Sequence, residues 1–170
     1  MRLVALVFTC YLLFGATPTR ELEVIPGIGV PGLIELGWTK EQLFAHLGKQ
    51  PERINHWRSC IRWDERYRHY AADGIWVYLD RYNLEQKHSD RRLNWIRFDS
   101  TSHAQLFNGI RIGVSTRADV YALYGPNLNN PGVEYDSLGV GFLFDCNLRE
   151  KDHSQEKLLE IEVFTPLQCE

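Results

Sequence analysis

The sequence predicts an α+β protein of two tandem repeats, each a helix followed by an antiparallel β-meander, with the helices packed on one face of the sheet. Three observations predict it. First, Tyr70-Ala-Ala-Asp-Gly74-Ile-Trp-Val-Tyr-Leu-Asp80 returns sixty-five residues later as Tyr135-Asp-Ser-Leu-Gly139-Val-Gly-Phe-Leu-Phe-Asp145. Second, at the same offset, Leu93-Asn-Trp-Ile96-Arg-Phe98 returns as Leu158-Leu-Glu-Ile161-Glu-Val163. Third, Thr39-Lys-Glu-Gln42 and Gly48 recur seventy-seven residues on as Thr116-Arg-Ala-Asp119 and Gly125. Self-similarity at a fixed period is the mark of duplication. The fall in offset gives the first copy about 12 extra residues between its helix and its first long strand. The expected division is 1–19 as signal peptide or N-terminal anchor, 20–100 as repeat 1 and 101–170 as repeat 2.

Arg2 precedes an apolar run from Leu3 to Ala16, which has signal-peptide length and is short for a membrane span. An uncleaved anchor ending before Arg20 is the alternative, and Cys10 sits in a poor lipidation context. The expected location is therefore periplasmic or secreted, with membrane contact only through this segment. A 44% hydrophobic and 12% aromatic composition fits a packed globular chain. The net charge of −3 is too small to imply a polyanion partner. It is unevenly spread: thirteen Lys and Arg face twelve Asp and Glu in residues 20–100, against five and ten in residues 101–170. Cys60, Cys146 and Cys169 match no zinc spacing and read as structural cysteines.

Glu21 to Ile25 alternates as a short strand. Gly27-Ile-Gly29-Val-Pro-Gly32 fits the dinucleotide-binding glycine pattern, but Pro31 and Leu33-Ile-Glu-Leu36 continue as extended chain rather than a helix. It reads as a loop, and no cofactor is expected. Residues Thr39 to Leu47 form a helix, with a Thr39/Gln42 capping box, an apolar face of Leu43, Phe44 and Leu47, and Gly48 as the stop. Thr116 and Asp119 cap the second helix, Val120, Leu123 and Tyr124 make its apolar face, and Gly125-Pro126 end it. His46 reads as a packed or surface histidine.

The insertion Glu52–His69 carries Arg53, Arg58, Arg62, Arg66 and Arg68 with Trp57, Trp63 and Tyr67. Basic and aromatic residues together can bind nucleic acid. Here Glu52, Asp64 and Glu65 dilute the charge, and arginine with tryptophan also marks protein-interface hot spots. A partner surface or simple packing is favoured, and no nucleic-acid partner is expected. In the first strand pair, Ile75, Val77 and Leu79 take one face, and Trp76 and Tyr78 the other. Val140, Phe142 and Phe144 repeat the apolar face. The opposite face then holds Trp76, Tyr78, Trp95 and Arg97 in one copy, and Leu143, Glu160 and Glu162 in the other. These aromatics form either a binding face or a minor core covered by the insertion.

The pre-helix strand, the Gly37-x-Thr39 cap, the helix ending at Leu47-Gly48 with Pro51 beyond it, and the Gly74-to-Asp80 strand carry a resemblance. They resemble the module of the BamE (SmpA/OmlA) outer-membrane assembly lipoproteins. Duplicated, with Gly113, Thr116, Val120, Leu123, Gly125, Gly139 and Asp145, the pattern resembles the β-lactamase inhibitory protein family, where two such modules share a continuous sheet. The resemblance implies an envelope or secreted binding protein using an open sheet face and loops, in the manner of an inhibitor or an immunity protein.

No catalytic constellation emerges. The six histidines lack metalloenzyme spacing, Ser102-His103 and His88-Ser89 lie in loops, and Asp80 and Asp145 serve turns. The expected function is an exported, non-enzymatic protein-binding module whose partner is another protein, such as an enzyme or toxin. It is expected to bind through Trp57, Trp63, Trp76, Tyr78, Trp95 and Arg97, with no cofactor and no metal. A membrane-anchored envelope structural or assembly factor is the alternative, and a small hydrolase the third reading.

Overall fold

The computed structural model describes residues 21–48, 67–70, 73–79, 92–127, 132–145 and 152–166. In chain order its elements are β1 (Leu22–Val24), β2 (Gly29–Val30), β3 (Ile34–Glu35), α1 (Lys40–Leu47), β4 (Tyr67–Tyr70), β5 (Ile75–Leu79), β6 (Leu93–Phe98), β7 (Ala104–Leu106), α2 (Arg117–Tyr124), β8 (Gly132–Tyr135), β9 (Val140–Phe144) and β10 (Leu158–Phe164). Six strands form one antiparallel sheet in the order β4-β5-β6-β10-β9-β8. Separately, β1 pairs with β7 in parallel, and β2 with β3 as a hairpin.

These elements form where the sequence leaves them little choice. β5 alternates buried and half-buried residues, so Ile75, Val77 and Leu79 face inward. Gly74 turns into it at φ 62, where a Cβ would run into Thr101 Oγ1, Asp99 Oδ1 and, at 2.5 Å, the backbone nitrogen of Ser102. That position needs glycine. Each helix begins at a complete capping box. Thr39 Oγ1 accepts from the Gln42 amide at 3.2 Å, and Gln42 Oε1 from the Thr39 amide at 2.9 Å. Thr116 and Asp119 repeat the arrangement. α1 ends on Gly48 in the left-handed region, whereas Gly125 after α2 lies outside it.

The expected fold class is corrected here. The described protein is strand-rich, with ten strands against two helices of eight residues each, and it is not a pair of helix-plus-meander repeats. The strands of the two halves merge through the β6–β10 pairing, Ile161 opposite Phe98 and Val163 opposite Ile96, into a single sheet. The inner face of that sheet is covered mostly by extended chain. Outside the sheet, Val24, Val30, Ile34, Ala104, Leu106 and Ile110 of the ribbons and turns are buried, while the helices bury only Leu43 and Val120 as apolar residues. The physical reason lies in helix length. Two turns of helix present one or two side chains to a sheet, so short extended segments must close the core.

Two backbone hydrogen bonds of the first half have counterparts in the second. Leu93 N donates to Trp38 O and Leu158 N to Ser115 O; Gly37 N donates to Leu93 O and Gly113 N to Leu158 O. Leu123 departs from its expected place on an apolar helix face, being 55% exposed, and Arg117 is buried on α2 instead. The glycine-rich 27–32 segment contains β2, the turn and the approach to β3. At Gly29 a Cβ would collide with the carbonyl of Ile34, so glycine there serves hairpin closure.

Candidate protein-binding face

Alternation along β5, β6 and β10 fixes what the outer face presents. Pairing places Trp76 opposite Arg97, and Arg97 opposite Glu162, which lies opposite Gly141 on β9. One row further on, Tyr78 lies opposite Trp95 and Trp95 opposite Phe164. The sheet thereby joins the aromatic and basic residues of the first half to the carboxylates of the second.

Arg97 is the centre of this face. Its guanidinium carbon sits 4.7 Å from the Trp76 ring centroid and 5.5 Å from that of Trp95, within cation–π range. Its Nη1 donates to Glu160 Oε2 at 3.1 Å, with both side chains about one-fifth exposed. The indoles are tied down as well. Trp76 Nε1 donates to Asp99 Oδ2 at 2.9 Å, and Trp95 Nε1 to Glu162 Oε2 at 3.4 Å. Asp99 in turn accepts on Oδ1 from the amide of Thr101 at 2.9 Å and from its hydroxyl at 2.6 Å. Burial pushes the Glu160 carboxyl above the usual range; Arg97 pulls it down and neighbouring Asp99 pushes it further up.

Of the six residues expected at the partner surface, four converge. Trp76, Tyr78 and Arg97 are half-buried, and Trp95 is only 4% exposed. Trp95 and Phe164 are buried on the outer side of the sheet, away from the main core cluster. Trp57 and Trp63 lie outside the described residues, as do most of the insertion, Asp80, Cys60, Cys146 and Cys169. His46 is exposed, with its ring 4.3 Å from that of Trp38 and its Nδ1 2.9 Å from the Gln42 carbonyl oxygen.

A second polar cluster has no forerunner in the sequence reading. On α2, Arg117 Nε and Nη2 donate to Glu156 Oε2 at 3.0 and 2.6 Å, and His153 Nδ1 lies 2.6 Å from Glu156 Oε1. The side chains of Arg117 and Glu156 are 5% and 2% exposed, that of His153 33%. The Arg117 guanidinium lies 4.4 Å from the Phe144 ring centroid. Burial opposes both charges, but Tyr121 and Glu156 raise the Arg117 pKa, and Arg117 and His153 hold that of Glu156 below the usual range. The cluster fastens the 152–157 loop over the start of α2, where Glu156 O and Ser154 O accept from the Arg117 and Ala118 amides at 3.0 and 2.9 Å. Its members stand 39 residues apart, so no local pattern brings them together.

Among the described residues, no group of three or more His, Cys, Asp or Glu is placed to hold a metal ion, and no helix is long and apolar enough to cross a membrane. No family model, curated protein or solved structure matches this chain.

Proposed function

We propose that this chain is an exported, non-enzymatic protein-binding module of the inhibitor or immunity type, engaging another protein through the outer sheet face. The observation that carries the reading is the clamped Arg97. A guanidinium held between two indoles and fixed by Glu160 has already lost most of its rotamer freedom. A partner that contacts it meets an ordered anchor and does not have to order a flexible side chain. Tryptophan, tyrosine and arginine are also the residue types in which binding energy concentrates. Buried Trp95 backs Arg97, and Trp76, Tyr78 and Arg97 make the contact surface.

The test is affinity capture with the tagged full chain, comparing wild type with Trp76→Ala and Tyr78→Ala. One stoichiometric protein partner, lost with either variant while the melting curve stays cooperative, is the expected result. A partner held equally well by both folded variants would remove the outer face from the interface.

A further inference from the structure

The six-stranded sheet ends on β8, whose one neighbour in it is β9. An edge strand turns alternate backbone groups away from its neighbour, where another strand can take them. Which residues do so here follows from the hairpin. Tyr135 and Val140 flank the β8–β9 turn, where Tyr135 O accepts from the Leu138 and Gly139 amides, both at 3.0 Å. The pair that closes a hairpin exchanges backbone hydrogen bonds, and so does the pair two residues further along, Val133 and Phe142. The backbone groups of Gly132 and Glu134 therefore point out from the edge.

That edge is plugged at one point. Asn127 Nδ2 donates to Glu134 O at 2.6 Å, which agrees with the outward direction of this carbonyl. Asn127 is held in place from α2, its own carbonyl accepting from the Tyr121 hydroxyl at 2.6 Å. The turn before it is tied to β8 as well, since the Tyr135 hydroxyl donates to Gly125 O. Among the described residues, Asn127 alone bonds to the outward groups of Gly132 and Glu134. The edge is also self-complementary. Antiparallel pairing of two β8 strands centred on Val133 sets Gly132 of each copy opposite Glu134 of the other. The outward N–H and C=O groups of each such pair then satisfy one another. A glycine opposite each glutamate leaves room for its side chain, and the like charges do not face each other directly. One acceptor this pairing needs is the Glu134 carbonyl that Asn127 occupies.

We infer that β8 is a pairing edge for a second copy of this chain, held closed by an autoinhibitory contact from Asn127. With the contact made, the chain stays single; with it withdrawn, two sheets join through β8. A second copy is favoured over an unrelated strand because the two-fold register matches glycine to glutamate at both positions, a fit that an arbitrary sequence does not supply. The inference goes beyond the protein-binding reading and does not depend on it: β8 lies four strands from β5, so this pairing does not involve Trp76 or Tyr78.

The test is sedimentation equilibrium on the full chain at loadings up to about 1 mM. Wild type is compared with Asn127→Ala and with Asn127→Ala plus Tyr121→Phe, which removes both side-chain ties of the plug. A monomeric wild type and dimers of both variants are expected. Release of one competing hydrogen bond should place the dissociation constant of Asn127→Ala at least about fivefold below that of the wild type. Gly132→Pro, added to Asn127→Ala, removes an outward N–H at the first residue of an edge strand, where proline is tolerated. A Cβ there meets only Phe142 O, at 3.7 Å, and this variant should return to monomer. The single Asn127→Ala variant carries the test if the double one does not melt cooperatively. A cooperatively melting Asn127→Ala that stays monomeric would overturn the inference. So would dimers that persist with Gly132→Pro, or a wild type that dimerises as tightly as Asn127→Ala.

Discussion

Replacing Arg117 by methionine removes the cation from the most deeply buried ion cluster described and strands its carboxylate. The Glu156 side chain is 2% exposed and accepts twice from Arg117 on one oxygen. The variant loses these charge-assisted bonds and the contact with the Phe144 ring at 4.4 Å. It also leaves the Glu156 charge with His153 as its nearest donor. Breaking a buried pair by removing one partner costs about 3–5 kcal/mol. For a chain of this size that is a fall in melting temperature of roughly 10 °C. The assay is urea unfolding at pH 7.5, read as a shift in midpoint at constant slope.

The cycle sharpens the test. Arg117→Met with Glu156→Met removes both charges and leaves behind His153, which is one-third exposed and can turn to water, and the Tyr121 hydroxyl, which still donates to Asn127 O. Most of the lost stability should return in the double variant. The pH dependence supplies an independent check. In the wild type, the Glu156 pKa lies below its ordinary 4.5. Its contribution is present above 4.5 and is lost as the pH falls through the lowered value. Without Arg117, burial dominates and the pKa rises above 4.5. The stability lost in Arg117→Met should therefore be greatest at pH 7.5 and shrink toward pH 5. A single variant losing less than about 1 kcal/mol, or a double variant losing as much as the single, would refute the claim that this pair is a buried, mutually dependent charge cluster.

Glu160 behaves in the opposite sense. Its folded pKa is raised, chiefly by burial, so the folded state holds the proton more tightly and stability falls as the pH rises from 4.5 through the raised value. Glu160→Gln keeps an acceptor for Arg97 and should flatten that fall, measured by melting at pH 4 and pH 7; an unchanged slope would contradict the burial argument. Gly74→Ala puts a Cβ into Thr101 and the Ser102 backbone, and should cost about 2 kcal/mol or more in urea unfolding. Gly32→Ala, also at positive φ but with open space around it, should cost about 1 kcal/mol. Equal losses at the two positions would mean that backbone conformation alone, and not close approach, demands glycine at 74.

The long strands were the legible part of the fold. β5 and β9 pack alternate residues inward, and the doublet of Gly74 and Gly139, at φ 62 and 65, marks where each begins. The capping boxes at Thr39 and Thr116 were equally readable, because an N-cap and its partner stand three residues apart and need no tertiary information. What was lost was the layer over the sheet. Segments such as Leu22–Val24 and Ala104–Leu106 are three residues long, and their pairing is parallel across more than eighty positions of chain. Three residues carry almost no period, and nothing local chooses a partner so distant. The helices are rich in local signals, but at two turns each they cover little of the sheet.

The outer sheet face divides the same way. That Trp76, Tyr78, Trp95 and Arg97 share a side of the sheet followed from alternation on two strands. That Trp95 would be buried did not, since strand periodicity gives the face of a side chain and not what covers it. The placement of Glu160 and Glu162 beside Arg97 required the register of β6 on β10, a pairing between strands more than sixty residues apart. Once that register is fixed, the charge pattern of the sequence acquires a physical meaning. The acidic excess of the second half meets the arginine of the first across the strand join: Glu160 holds the side chain that the two indoles flank, and Glu162 holds one of the indoles. An isolated Arg97 would be a flexible exposed cation. Within this sheet it is an ordered one, and its order comes from residues of both halves at once.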